Sequence, residues 1–296
     1  MKNKFKGTGV AIVTPFNENG SIDFPALQSL LDHLINNGID YFVVQGTTGE
    51  SATLSLEEKN TQLKFIIEAN DGRLPVILGI GGNNTQAIIN SFKEFDLNGV
   101  DAILSVSPYY NKPSQEGLYQ HYRMISENTP LPVILYNVPG RTSSNITAET
   151  TLKLSDDFKN IIGIKEASGN LNQIGQIIGK RREDFLVLSG DDALTLPILA
   201  IGGDGVISVI ANAFPKEFSQ MVKSALSGDF ITARHIHLQL MDITMLLFAE
   251  GNPAGIKAAL KILGIISSDS LRLPLAPVSK NLYHKLEQAI KMLRVN

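Results

Sequence analysis

Short apolar runs alternate with longer amphipathic segments along most of the chain. TGVAIVTPF, YFVVQG, PVILGIG, AILSVSP, PVILYNVP, IIGIKEAS, FLVLSG and GVISVI are eight strand candidates between Thr8 and Ile210. Most are continuous apolar runs without strict alternation, the pattern of parallel strands covered on both faces. Between them, FPALQSLLDHLINNG and LEEKNTQLKFIIEAN carry helical spacing. Leu27, Leu30, Leu31, Leu34 and Ile35 fall on one face of the first. Gly38 stands where that helix would be capped. Ser55 and Glu58 form a capping box at the start of the second.

Eight strand–helix units predict an α/β protein, a (β/α)8 TIM barrel over residues 1–229. An open doubly wound sheet is the alternative architecture, and it usually carries a glycine-rich nucleotide loop. GIGGNN, 79–84, places Asn84 where that loop needs its third glycine. Beyond the barrel, FITARHIHLQLMDITMLLFAE, NPAGIKAALKILG and VSKNLYHKLEQAIKML predict a three-helix C-terminal extension over residues 230–296. No linker, low-complexity stretch or internal repeat divides the two, so one domain with a helical extension is expected.

Composition narrows the function. The 296 residues are 43% hydrophobic and 19% charged, ordinary for a globular chain. A formal net charge of -3 without a Lys/Arg stripe gives no footprint for nucleic acid. No apolar run approaches the roughly 18 residues of a membrane span. The start, MKNKFKGTGVAIVTPF, is basic and then apolar, but Thr14-Pro15 interrupts the apolar part, so it reads as a first strand rather than a leader. The chain has no cysteine, which rules out disulfides and thiolate sites and fits a cytoplasmic location.

Polar residues gather where the strand candidates end. GTTGES (46–51), SPYYNKP (107–113), YNVPGRT (136–142), Lys165 in IIGIKEAS and SGDD (189–192) all lie there. In a barrel those ends share one mouth, which brings together Thr47, Thr48, Tyr109, Tyr110, Tyr136, Arg141 and Lys165. Strand alternation puts Ile161, Gly163 and Lys165 on one face, with Gly163 leaving space for a ligand. A lone lysine at a strand end ordinarily reaches for solvent, and paired tyrosines ordinarily pack. Their clustering at consecutive strand ends favours a site.

A free lysine titrates near ~10.4, and burial that lowers this by about three units makes a usable amine nucleophile. Attack on a ketone or aldehyde gives an iminium, an electron sink for carbanion chemistry. Tyr136 is placed to shuttle the protons, with Thr47 and Tyr110 as relay, and Arg141 offers a fork for a carboxylate. Other chemistries find less. There is no HExxH and no cysteine, and His235 and His237 are two apart on a predicted helix, so no metal or cofactor is expected. No GxSxG or P-loop occurs, and Asp191 and Asp192 disfavour a phosphorylated substrate.

In this order and spacing, GTTGES, SPYYNKP, YNVPGRT, GIKEASGN, SGDD and GVISV resemble the dihydrodipicolinate synthase family of pyruvate-dependent class I aldolases. The likeness runs from VAIVTPF to RLPLAPVS at 272–279. It implies condensation of pyruvate with L-aspartate 4-semialdehyde to 4-hydroxy-tetrahydrodipicolinate, the entry to diaminopimelate and lysine. It implies that Lys165 forms the Schiff base, that Tyr136 moves protons through Thr47 and Tyr110, and that Thr48 holds the pyruvate carboxylate. Arg141 would receive the semialdehyde carboxylate, and backbone at Gly190 and Ile207 would line the site. It also implies a homotetramer built from two tight dimers, with Tyr110 crossing into the neighbouring site. The nearest alternatives are an N-acetylneuraminate lyase or a keto-deoxy sugar-acid aldolase, typically without an arginine matching Arg141, and a non-catalytic relative that binds a keto acid or a partner protein.

Two departures stand out. The family's NPxPxK reads EGNPAGIK here, at 250–257, in helices expected to be remote from the chemistry. The positions matching the lysine-effector site are Leu56, Lys59 and Ala87, with Asn83 and Tyr109 retained. No carboxylate is left for the effector's ammonium, so weak or absent lysine feedback is expected.

Overall fold

The computed structural model describes residues 2–295; Met1 and Asn296, the outermost residues of the two expected segments, lie outside it. After a 3-10 turn at Lys2–Phe5, the first half runs β1 (Gly7–Ala11), α1 (Phe24–Asn36), β2 (Tyr41–Val44), α2 (Leu56–Asn70), β3 (Val76–Gly79), α3 (Thr85–Ser91), β4 (Ala102–Val106) and α4 (Gln115–Asn128). The second half runs β5 (Val133–Asn137), α5 (Pro139–Thr142), α6 (Ala148–Asp157), β6 (Ile161–Glu166), α7 (Leu171–Lys180), β7 (Leu186–Ser189), α8 (Thr195–Ala200), β8 (Gly205–Ser208) and α9 (Pro215–Leu226). Helices α10 (Phe230–Phe248), α11 (Ala254–Ile262) and α12 (Lys280–Val295) follow. The strands are parallel and close in sequential order, with β8 returning to β1. The chain forms the expected TIM barrel with C-terminal helices.

Burial on both faces explains the continuous apolar runs. Val10, Phe42, Leu78, Leu135, Ile164, Val187 and Val206 pack outward against the helical ring. Ala11, Tyr41, Val43, Ile77, Leu104, Ile134, Leu188 and Ile207 fill the barrel. Phe5 plugs the floor, edge-on to Tyr41 with ring centroids 5.7 Å apart. The helices begin where short polar side chains cap them. The Asp23 carboxylate accepts from Ala26 N at 3.0 Å at the head of α1. Both halves of the Ser55–Glu58 capping box are formed at the head of α2. Leu27, Leu30, Leu31 and Leu34 of α1 are fully buried, so truncating any one to alanine costs about 2–5 kcal/mol.

The expected face of β6 needs one correction. Ile161 packs in the outer layer and Ile162 in the barrel interior. The register against β5 slips between Val133 and Ile134, so that Ile134 pairs with Gly163. This bulge resets the alternation before Lys165 is reached, and Lys165 still points inward.

Candidate active site

Register places the key pair side by side. Tyr136 on β5 is the pairing partner of Lys165 on β6, and both side chains turn into the barrel mouth. Lys165 is 6% exposed, and its Nζ lies 4.3 Å from the centroid of the Tyr136 ring. Among the described residues the amine has no salt-bridge partner. Around it lies a cavity of about 380 Å³ walled by Thr47, Thr48, Tyr136, Arg141, Lys165, Gly190 and Asp191. That volume is at the small end of ligand sites, which run roughly 300–1,000 Å³. A second cavity of about 750 Å³ shares Thr47, Tyr136 and Arg141 and extends past Lys59, Asn83, Ala87 and Tyr109.

The loops that carry these groups are held tightly. Gln45 and Glu50 bracket the GTTGES loop in the left-handed region, at φ 59° and 54°. Such backbone costs about 1–3 kcal/mol per residue and persists only where surroundings fix it. Here Gln45 Nε2 donates to Lys59 O at 2.7 Å, and Thr14 Oγ1 donates to Gly49 O at 2.6 Å. The Glu50 carboxylate is fully buried against Lys257 Nζ and also accepts from Arg272 N at 3.2 Å. Burial pushes the Lys257 amine down to about 8. Arg272 in turn grips Glu58 of α2, whose carboxyl that hydrogen bond holds at about 2. Ser144 Oγ donates to Pro108 O at 2.6 Å, tying the Arg141 loop to the tyrosine loop.

Tyr110 and Ile207 stand apart from this group. Tyr110 is 89% exposed with φ 71°, outside the walls of both cavities. The Ile207 side chain is buried in the barrel interior. Asp192 works structurally, accepting from Val209 N at 3.0 Å and Ile210 N at 2.9 Å. Glu166, the neighbour of Lys165, faces the helical ring in a cage of donors. It accepts from Asn137 Nδ2 at 3.1 Å, Gln173 Nε2 at 2.9 Å and Ser168 N at 2.8 Å, while burial raises its carboxyl.

Gly163 does not open space for a ligand. A Cβ there would sit 2.7 Å from Leu186 Cβ, so the glycine serves packing between β6 and β7. Gly190 makes the room instead, since its Cβ would stand 2.9 Å from Lys165 Cε.

The C-terminal helices are not remote. Thr244, Met245 and Phe248 of α10 line the smaller cavity, and Asn252 lines both. Asn252 Nδ2 donates to Thr48 Oγ1 at 2.9 Å. At the departure from the family pattern, a Cβ on Gly255 would lie 2.7 Å from the Leu247 carbonyl carbon, so α11 presses on α10 where no larger residue fits. A signal for this was present in the sequence. Lys257 sits in AGIKAALKI, a charged residue among apolar ones, the same oddity that marks Lys165.

These features match known proteins over the whole chain. The sequence profile of the Dihydrodipicolinate synthetase family covers residues 4–293. The 4-hydroxy-tetrahydrodipicolinate synthase of Phocaeicola vulgatus is 51% identical over 295 residues, 100% of this chain and 99% of its own. The solved dihydrodipicolinate synthase of Thermotoga maritima superposes with a TM-score of 0.96 at 41% identity, over 99% of this chain and 100% of its own. A structure described as a monomeric dihydrodipicolinate synthase variant gives 0.96 at 41% identity, over 100% and 99%. With the barrel, the buried lysine and these full-length likenesses in agreement, the chain belongs to the dihydrodipicolinate synthetase family.

Proposed function

We propose that the chain condenses pyruvate with L-aspartate 4-semialdehyde to 4-hydroxy-tetrahydrodipicolinate through a Schiff base on Lys165. The observation that carries this reading is the inward amine of Lys165, 4.3 Å from the Tyr136 ring centroid at the wall of a small cavity. Its amine attacks C2 of pyruvate, and the carbinolamine loses water to give the iminium. Loss of a C3 proton gives the enamine. Its C3 bonds to the aldehyde carbon, and the resulting alkoxide takes a proton. The substrate's own amine then displaces Lys165 from C2, which closes the ring and frees the enzyme. Tyr136 is the group that gives and takes these protons, relayed through Thr47 and Tyr110.

Thr48 holds the pyruvate carboxylate, backbone at Gly190 lines the site, and Arg141 receives the semialdehyde carboxylate. Among the described residues Arg141 has no ion-pair partner, which leaves its fork free for that role. This favours the condensation over cleavage of sugar acids. Borohydride reduction in the presence of pyruvate, read by intact mass, tests the reading. A single adduct is expected on the wild type and none on Lys165→Ala. An adduct that survives in the variant, or none in the wild type, overturns it.

The assembly we propose is a homotetramer of two tight dimers, working in the cytoplasm. Tyr110 is exposed and outside the walls of its own cavity, which supports a role at a neighbouring site. Leu171 at the start of α7 and Ile201 after α8 are exposed apolar residues suited to a second contact. Sedimentation should give four copies of the 32.2 kDa chain, and a monomer with full turnover would exclude a role for a neighbour's Tyr110. No helix among the described residues is long and apolar enough to cross a membrane.

A further inference from the structure

We propose that Asn252, in the C-terminal extension, is a positioning residue that aims the Thr48 hydroxyl proton at the keto-acid carboxylate; this rests on the function proposed above. Thr48 Oγ1 is buried and accepts a hydrogen bond from Asn252 Nδ2 at 2.9 Å. A hydroxyl that accepts on its lone pair must point its own proton elsewhere. Among the described residues nothing accepts that proton, and Thr48 lines the cavity that holds Lys165. The proton therefore stays available for a ligand oxygen.

Asn252 is itself immobilised. It is buried just before α11, and five residues further on, within α11, Lys257 is fixed by Glu50 and by Ser270 O at 2.9 Å. Two contacts thus span the same two elements, Asn252 on Thr48 and Lys257 on Glu50, so the extension grips the catalytic loop at both ends of its TGE stretch. Among the described residues the Asn252 Oδ1 has no hydrogen-bond partner, so Thr48 is the one group the amide bonds. Its donor side serves Thr48.

The test is a double-mutant cycle read by borohydride trapping across pyruvate concentrations. Asn252→Ala should raise the pyruvate concentration for half-trapping roughly tenfold, as expected for an oriented hydrogen bond to a charged group. The semialdehyde dependence should move far less, a split that general loosening of the fold would not produce. On a Thr48→Val background, Asn252→Ala should cost nothing more. The near-isosteric Asn252→Asp, which can only accept from Thr48 and would turn its proton away, should impair trapping at least as much. Equal cost on both backgrounds, or unaltered pyruvate dependence in either variant, overturns the proposal and leaves the Schiff-base reading standing. A wild type that pyruvate never traps overturns both.

Discussion

Lys257→Met should lower the melting temperature by about 6–10 °C. Both side chains of the Lys257–Glu50 pair are wholly buried. Methionine keeps most of the lysine's bulk but removes its charge. Glu50 would retain only the Arg272 backbone N–H, at 3.2 Å. Deleting one partner of a buried pair leaves an uncompensated charge and costs about 3–5 kcal/mol. At roughly 2 °C per kcal/mol for a chain of this size, the stated drop follows. The charge-free double variant Glu50→Gln, Lys257→Met removes the stranded carboxylate and should recover most of the loss. Thermal melts of the wild type, both single variants and the double variant measure the coupling. Turnover should fall in Lys257→Met, because Glu50 closes the loop that carries Thr47 and Thr48. The reasoning is refuted if Lys257→Met melts within about 2 °C of the wild type, or if the double variant melts no higher than the single.

Four other outcomes follow from the same geometry. Tyr136→Phe should fold normally and keep its ring against Lys165 while losing on the order of 100-fold or more in turnover; near-normal turnover would remove Tyr136 as the proton shuttle. Gly190→Ala should impede borohydride trapping, since the added Cβ would meet Ala167 Cβ at 2.8 Å and Lys165 Cε at 2.9 Å; unimpaired trapping would refute this. Burial lowers His121 to about 4 from 6.5, on the order of 3 kcal/mol of stability, present above pH 6.5 and lost as pH falls toward 4 because the unfolded chain binds the proton first. His121→Asn should therefore flatten the stability profile across that window, and an unchanged slope would contradict it. Inhibition by L-lysine should be weak or absent, since among the described residues Glu50 is the one carboxylate on the wall of the larger cavity and Lys257 occupies it; half-inhibition below millimolar would refute the expectation.

The barrel was legible because two-sided burial writes continuous apolar runs, and only eight of them at regular intervals close a cylinder. The convergence of Thr47, Tyr136, Arg141 and Lys165 followed from that topology, since every parallel strand delivers its C-terminal loop to the same end. What the sequence hid depends on three-dimensional coincidence. A bulge opposite Val133 sends Ile162 inward, and no periodicity announces one extra residue. Gly163 and Gly190 look alike in a strand-and-loop reading, yet one admits Leu186 and the other the stem of Lys165. The largest omission was the extension, because helical periodicity reports which face is buried but not against what. Asn252 lies more than two hundred residues from Thr48 and touches it only because α10 folds back over the barrel mouth. The same folding buries Lys257 beside Glu50. A charged residue in an apolar helix, like Lys165 in an apolar strand, is the sequence signal that points from the extension to the GTTGES loop. The extension therefore walls the candidate site as well as packing on the barrel.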